Sequence, residues 1–168
     1  MKKILLILPL LLGFLVMPAD AGTISLKNDS IVCENEANLK ILSEDDFVNK
    51  PGSTVLKGAK AYQDFYAIKA RASKILKDEA EKEESIMMSH NLSSASATAR
   101  AATYAKEEES NIGISKQFTD FLAHCMAIKE SQTAEIIEDK PISKIAKIKT
   151  LISDKFYELW TIDFYLNR

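Results

Sequence analysis

Apolar residues recur at steps of three and four along residues 54–84, and lysines and acidic residues fill most positions between them. The recurring members are Val55, Tyr62, Phe65, Tyr66, Ala72, Ile75 and Leu76. Because an α-helix has 3.6 residues per turn, this spacing places the apolar side chains on one face. The pattern therefore predicts a long amphipathic helix from about Thr54, with a charged, solvated end over residues 77–84.

Residues 91–109 are rich in Ala and Ser and contain neither Gly nor Pro, which predicts a second helix. Its small face, made of Ala95, Ala99 and Ala102, would allow close approach to the first helix in a hairpin that bends at residues 86–90. One long helix with a weakly ordered Ala/Ser stretch fits the same composition. The sequence leaves both arrangements open.

The helical region, about 54–112, is expected to end at Asn111–Gly113, because Gly disfavours a helix interior. Ser115 could then cap a short separate helix that carries Phe118, Phe121 and Leu122 toward a core.

The segment before the long helix predicts a strand and a short helix. Residues 23–32 have strand character with a turn at residues 28–30, and Cys33 closes them. Residues 34–42 have apolar residues at helical spacing and acidic residues in the first turn. Ser43–Asp46 has the form of a capping box that starts another helical turn, before a break at residues 50–53.

After Cys125 the pattern changes to short β-runs separated by turns, which predicts an antiparallel meander. The runs cover residues 126–129, 133–137, 144–152 and 156–166, and the last stretch is expected to leave the sheet as a helical turn. Five Gly and four Pro are few for an all-β chain with many tight turns. We therefore expect one α+β domain over residues 22–168.

The first residues have the three parts of a secretory signal peptide. Lys2 and Lys3 form a positive region, residues 4–17 form an apolar run, and a small-x-small pattern ends at Ala21. The run is shorter than the roughly 20 residues that span a bilayer. We expect cleavage near Ala21 and a periplasmic or secreted product without an integral membrane segment.

Cys33 and Cys125 are the two cysteines of the chain. An even pair in an exported protein predicts a disulfide. A redox CxxC motif and zinc-type Cys/His spacing are both absent from the sequence.

The chain resembles small secreted bacterial two-cysteine proteins, in which one cysteine ends a first strand and a second opens a short SH3-like β-meander. The similar segments are residues 30–34, 122–130, 134–137, 147–149 and 158–161. The resemblance covers residues 23–50 and 119–166. It implies an envelope location and a binding role, with the region between the cysteines as a helical insertion that departs from the family pattern.

Motifs for catalysis or cofactor binding are absent, and no cofactor or metal is predicted. His90 is interpreted as a solvated bend residue and His124 as a half-buried residue near the disulfide. Acidic runs alternate with lysines and indicate solvated helix faces. The formal net charge of −2 lacks the basic excess of a nucleic-acid binder.

Aromatic side chains are the candidate contact residues, because aromatics dominate interface hot spots. The candidates are Tyr62, Tyr66, Tyr157, Trp160, Phe164 and Tyr165, each of which could instead belong to the core. The first hypothesis is an exported, non-enzymatic interaction protein of the bacterial envelope that binds another envelope protein or a cell-wall polymer. The alternatives are an inhibitor or immunity protein that blocks a foreign hydrolase, and an enzyme acting on cell-wall material.

Overall fold

A computed structural model describes residues 23–167, so the predicted signal peptide lies outside the described residues. The strands are β1 (Thr23–Leu26), β2 (Ser30–Cys33), β3 (Cys125–Ile128), β4 (Gln132–Lys140), β5 (Ile145–Ile152), β6 (Lys155–Ile162) and β7 (Leu166–Asn167). The helices are a 3-10 helix (Glu36–Ser43), α1 (Gly52–Ser89), α2 (Ala95–His124) and a 3-10 turn (Asp163–Tyr165). The predicted mixture of helices and antiparallel strands is confirmed.

The seven strands form one curled antiparallel sheet in the order β3-β2-β6-β5-β4-β1-β7. Side chains alternate between its two faces. Val32 points to the inner face, where it joins one buried cluster to which all seven strands contribute. Its neighbours Ile31 and Cys33 point to the outer face and join a second cluster with the helices. The side chains on the two faces of β2 therefore belong to different cores, and β2 lies between them.

The turn predicted over residues 153–155 is present as a two-residue connection between β5 and β6, because Lys155 already belongs to β6. Ser153 and Asp154 both have positive φ, 48° and 64°, as a tight hairpin turn requires. Ile152 faces Lys155 across the turn. The predicted exit of the last stretch as a helical turn is also observed, at Asp163–Tyr165.

Helices α1 and α2 lie side by side in opposite directions. Thr98 near the start of α2 donates to Glu84 near the end of α1 (2.7 Å), and Gln63 in the first half of α1 donates to Thr119 near the end of α2 (2.7 Å). Buried or half-buried positions on α1 recur at alternating steps of four and three, at Tyr66, Ala70, Ser73, Lys77, Ala80, Glu84 and Met87. This is the spacing of a coiled-coil seam.

The predicted small face of α2 is wrong. Ala95, Ala99 and Ala102 are exposed, and Ala97 and Ala101 are the buried members of the seam. Small residues occupy nearly every position of this stretch, so composition alone did not distinguish the two faces of the helix.

The predicted helix end at Asn111–Gly113 is also wrong, because α2 continues through it to His124. Ser115 does not cap a new helix; its hydroxyl donates to the carbonyl of Gln63 on α1 (3.2 Å). One glycine costs a helix interior about 1 kcal/mol relative to alanine. Packing of α2 against α1 on both sides of Gly113 outweighs that cost.

The segment after Cys33 forms a 3-10 helix, and the predicted capping role of Ser43 is wrong. The Ser43 hydroxyl donates backward to the Lys40 carbonyl (2.7 Å), so Ser43 ends a helix instead of starting one. Turns follow over residues 45–49. The 3-10 helix buries Leu39, Ile41 and Leu42 against the outer core.

The predicted disulfide between Cys33 and Cys125 is present, with the two Cα atoms 4.1 Å apart in directly paired positions of β2 and β3. Phe121, one turn before Cys125, is fully buried in the same core. The bridge therefore fixes the end of α2 beside the start of the 3-10 helix. Over residues 23–167, no helix combines the length and the apolar character needed to cross a membrane.

Candidate functional site

A groove of about 1040 Å³ opens on the outer side of the sheet. One wall of the groove is the 3-10 helix with the loop that follows it. The other wall is the start of β5 with the end of β6. Half of the fourteen residues that line it are apolar, namely Ala37, Leu39, Leu42, Val48, Ile145, Ile162 and Phe164. Binding pockets for ligands have volumes of about 300–1,000 Å³ and mainly apolar linings. The size and lining of this groove fit a contact site.

The first wall of the groove is positioned by the 3-10 helix. Leu39 and Leu42 are buried in the outer core, which directs Lys40 and Ser43 toward the groove. The helix starts three residues after Cys33, so the disulfide holds its beginning against the sheet. Val48, in the following loop, is 41% exposed.

The opposite wall is formed where the β4–β5 turn meets the end of β6. Ile145 and Ile162 face each other across the two strands. The backbone N–H of Asp163 donates to the carbonyl of Lys144 (2.9 Å), and Lys144 adopts a left-handed conformation with φ of 55°. These contacts hold the turn beside Phe164 and keep the wall in place.

A charged contact joins the two walls at one end. The Lys140 ammonium donates to the Glu36 carboxylate (2.5 Å) and lies 4.6 Å from the centre of the Trp160 ring. The hydrogen bond to Glu36 raises the pKa of Lys140. The contact connects β4 to Glu36 of the 3-10 helix, which lines the groove, while Lys140 and Trp160 lie outside the lining.

Positive charge remains available on the rim. Lys40 and Lys144 both line the groove and are exposed, and neither forms an ion pair with another described residue. Two acidic residues also line the groove: Glu36 is engaged by Lys140, and Asp163 lies beside Phe164 in the chain. The groove therefore combines an apolar floor with two ammonium groups that can receive a carboxylate.

The structure places one of the six aromatic candidates in the lining of this groove. Phe164 lines it and is half-buried, whereas Trp160 is half-buried under Lys140 and does not line it. Tyr165 is 2% exposed, and its hydroxyl donates to the Lys50 carbonyl (2.8 Å). Burial raises the pKa of Tyr165 to about 12. A side chain enclosed in this way has a core role and offers no surface to a partner.

The remaining three candidates lie elsewhere. Tyr62 and Tyr66 stack on Phe118 of α2, with ring centres 5.4 and 6.4 Å away. The Tyr62 hydroxyl donates to Asp46, which raises the pKa of Tyr62. Tyr157 is 40% exposed near the β5–β6 turn. The six aromatic residues therefore do not form one surface.

Sequence reasoning missed Val48, Lys40, Lys144 and Ile162 as groove residues. They come from segments that are far apart in the chain and carry no shared motif. An exposed valine in a loop is ordinary, and only the fold shows that it faces Phe164 across a groove.

The two histidines lie outside the groove. His124 has Nδ1 2.8 Å from the Asp120 carbonyl oxygen, and His90 is exposed at the end of α1. In the part of the chain that the structure describes, no three His, Cys, Asp or Glu side chains are grouped so that they could hold a metal ion. The chemistry offered by the groove is apolar contact and ammonium–carboxylate pairing.

Comparison with known proteins identifies no relative: no family model, curated protein or solved structure matches this chain.

Proposed function

We propose that this chain is an exported, non-enzymatic binding protein of the bacterial envelope, and that its groove receives an apolar segment of a protein partner. The N-terminal pattern of Lys2, Lys3, an apolar run and Ala21 supports export. The disulfide supports a final location in an oxidising compartment. The groove between the 3-10 helix and the ends of β5 and β6 is the observation that carries the binding role.

The residues on the rim of the groove indicate which kind of partner segment could bind there. Phe164, Ile162 and Val48 offer apolar contact, while Lys40 and Lys144 stand on the rim without ion-pair partners among residues 23–167. Paired charges at the edge of an interface favour a complementary partner over others. We therefore propose a partner segment with apolar anchors next to at least one carboxylate.

We further propose that β2 to β6 form an SH3-like meander, and that α1 and α2 are a helical hairpin inserted between its cysteines. The antiparallel order β3-β2-β6-β5-β4 supports this arrangement. The backbone N–H of Glu34 donates to the His124 carbonyl (2.9 Å), so the strand before the helices lies beside the chain that leaves them. A variant in which a short Gly/Ser loop replaces residues 67–111 should fold, because Val55, Ala59 and Phe121 of the core remain. An unfolded product would contradict the insertion.

The binding proposal is tested by photo-crosslinking from two matched positions. A photoreactive amino acid at Val48 (41% exposed, in the groove) should capture one partner in the native envelope. The same group at Leu151 (46% exposed, on β5 near the β5–β6 turn) should not capture it.

Affinity measurements with the purified partner complete the test. Val48→Asp should raise Kd at least tenfold, which corresponds to about 1.4 kcal/mol, and Leu151→Asp should leave Kd unchanged. Equal effects of the two substitutions would refute the groove as the binding site. Turnover of the partner by the protein would refute the non-enzymatic role.

A further inference from the structure

Large apolar side chains remain exposed on the side of α1 that faces away from α2. The outer stripe of α1 consists of Phe65, Ile68, Ile75, Leu76 and Ile86, each between 41% and 63% exposed. Within the described residues, the Lys69 ammonium lies 5.3 Å from the centre of the Phe65 ring, and at least 41% of each of these five side chains stays open to solvent. Contiguous apolar patches on the surface of a monomer are uncommon and mark interaction sites.

From Phe65 to Ile75 the stripe has the spacing of a second coiled-coil seam, and the same spacing continues through the charged residues Glu79 and Lys82 to Ile86. Phe65, Ile68, Ala72 and Ile75 follow one another at steps of three, four and three. The first seam of α1, which includes Ala70, Ser73 and Ala80, already packs against α2. Helix α1 therefore has one occupied seam and one that is open to solvent.

Charge along α1 is divided in the middle of the helix. Residues 52–77 contain six basic residues and one acidic residue, whereas residues 78–89 contain five acidic residues and one basic residue. Two such helices that lie antiparallel bring the basic part of each beside the acidic part of the other. Lys77, Glu83 and Glu84 already contact side chains of α2. The charges that remain beside the middle of the helix are basic before residue 75 and mainly acidic after residue 77, so they are complementary to themselves after a two-fold rotation.

We propose that a second copy of this chain covers the outer stripe of α1, with the two α1 helices antiparallel about an axis near Ile75 and Leu76. In this register Phe65 of one copy lies opposite Ile86 of the other. Near the axis, Ile75 of each copy lies opposite Leu76 of the other. Arg71 comes beside Asp78 of the other copy. The interface is isologous, as in most two-fold homodimers.

The size of the contact between the two α1 helices sets the affinity expected for the dimer. The stripe from Phe65 to Ile86 spans about 33 Å at 1.5 Å per residue. A contact of one helix with one helix over this length lies at the small end of specific interfaces, near or below about 1,200 Å² in total. We expect a dissociation constant in the micromolar range that rises with salt, because exposed charges are screened.

Sedimentation of the mature, oxidised protein at about 10–500 µM tests the dimer. The wild type should dimerise in low salt, and Ile68→Glu with Ile75→Glu should weaken the dimer at least tenfold. Both residues are exposed, so the fold should persist by circular dichroism. Leu92→Glu is the matched control, because Leu92 is 60% exposed but lies outside the stripe, between α1 and α2.

Charge exchange tests the antiparallel register. One variant carries Arg71→Glu, and the other carries Asp78→Lys. Each variant alone places like charges together and should be monomeric, whereas an equimolar mixture should form a heterodimer. A wild type that stays monomeric throughout, a dimer unaffected by the stripe variants, or binding of anionic vesicles by the monomeric protein would overturn the proposal.

Discussion

Replacement of both cysteines by alanine tests how much of the stability depends on the disulfide. Cys33 and Cys125 are buried and face each other in the β2–β3 pair, where three further residue pairs hold the same register. The sheet can therefore keep its pairing without the covalent bond. We expect the doubly substituted protein to remain folded, with its main change in the unfolded state.

The stabilisation expected from the disulfide follows from the length of the loop that it closes. The two cysteines are 92 residues apart. In the chain-entropy model, a loop of this length stabilises the folded protein by about 4–5 kcal/mol at 25 °C. Small domains have a total stability of about 5–15 kcal/mol. The bridge therefore accounts for a large share of the stability, and the variant should be marginal at 37 °C.

Equilibrium unfolding in urea measures how much stability is lost without the disulfide. The doubly substituted protein should unfold at a lower urea midpoint and with a larger m value, because its unfolded chain exposes more surface without the cross-link. Wild type reduced with dithiothreitol is the control and should show the same shift. A loss of less than about 1 kcal/mol, with an unchanged m value, would refute the entropic argument.

Three further substitutions test packing and burial. A Cβ at Gly52 would lie 2.7 Å from the Asp29 carbonyl oxygen, so Gly52→Ala should lower the free energy of unfolding by about 1–3 kcal/mol. A Cβ at Gly113 would meet nothing within 4 Å, so Gly113→Ala should raise the free energy of unfolding by about 1 kcal/mol. Thermal melts in which the Gly52 and Gly113 variants shift equally would contradict this reasoning. The pKa of Tyr165, raised from 10.0 to about 12 by burial, predicts stability that is present below pH 10 and lost as pH rises to 12. Tyr165→Phe should remove that part of the alkaline loss in urea titrations, and an unchanged alkaline loss would contradict it.

The elements that the sequence predicted well are those with strong local signals. The helix over residues 54–84, the turn after Ile152 and the Cys33–Cys125 bridge each depend on residues that lie close together or on a simple count. The single apolar face predicted for that helix is wrong, because Phe65, Ile75 and Leu76 are exposed, and the end predicted to be solvated buries Ala80. Hydrophobic periodicity and turn chemistry act locally, so the chain itself carries enough information for them.

The errors arose where tertiary packing outweighed local preference. Gly113 usually ends or weakens a helix, yet α2 passes through it because α1 packs alongside. Ala95 and Ala97 are chemically alike, so only the position of α1 decides which of them is buried. Local propensity is a weak guide in such a stretch.

The groove was not predictable from the sequence for a related reason. Val48, Lys144 and Phe164 come from three segments that are distant in the chain. Their proximity depends on the 3-10 helix folding across the sheet and on the backbone contact between Asp163 and Lys144. Phe164 was one of the six candidate aromatic residues and lines the groove, whereas its neighbours there were not candidates.

The mass of the protein isolated from the envelope, after thiol blocking and without reduction, tests the proposed export most directly. We predict a chain that begins at Gly22 and carries no blocked thiol, because Cys33 and Cys125 are bonded to each other. An intact chain that retains residues 1–21 and carries two blocked thiols, found in the reducing cytosol, would contradict the proposal.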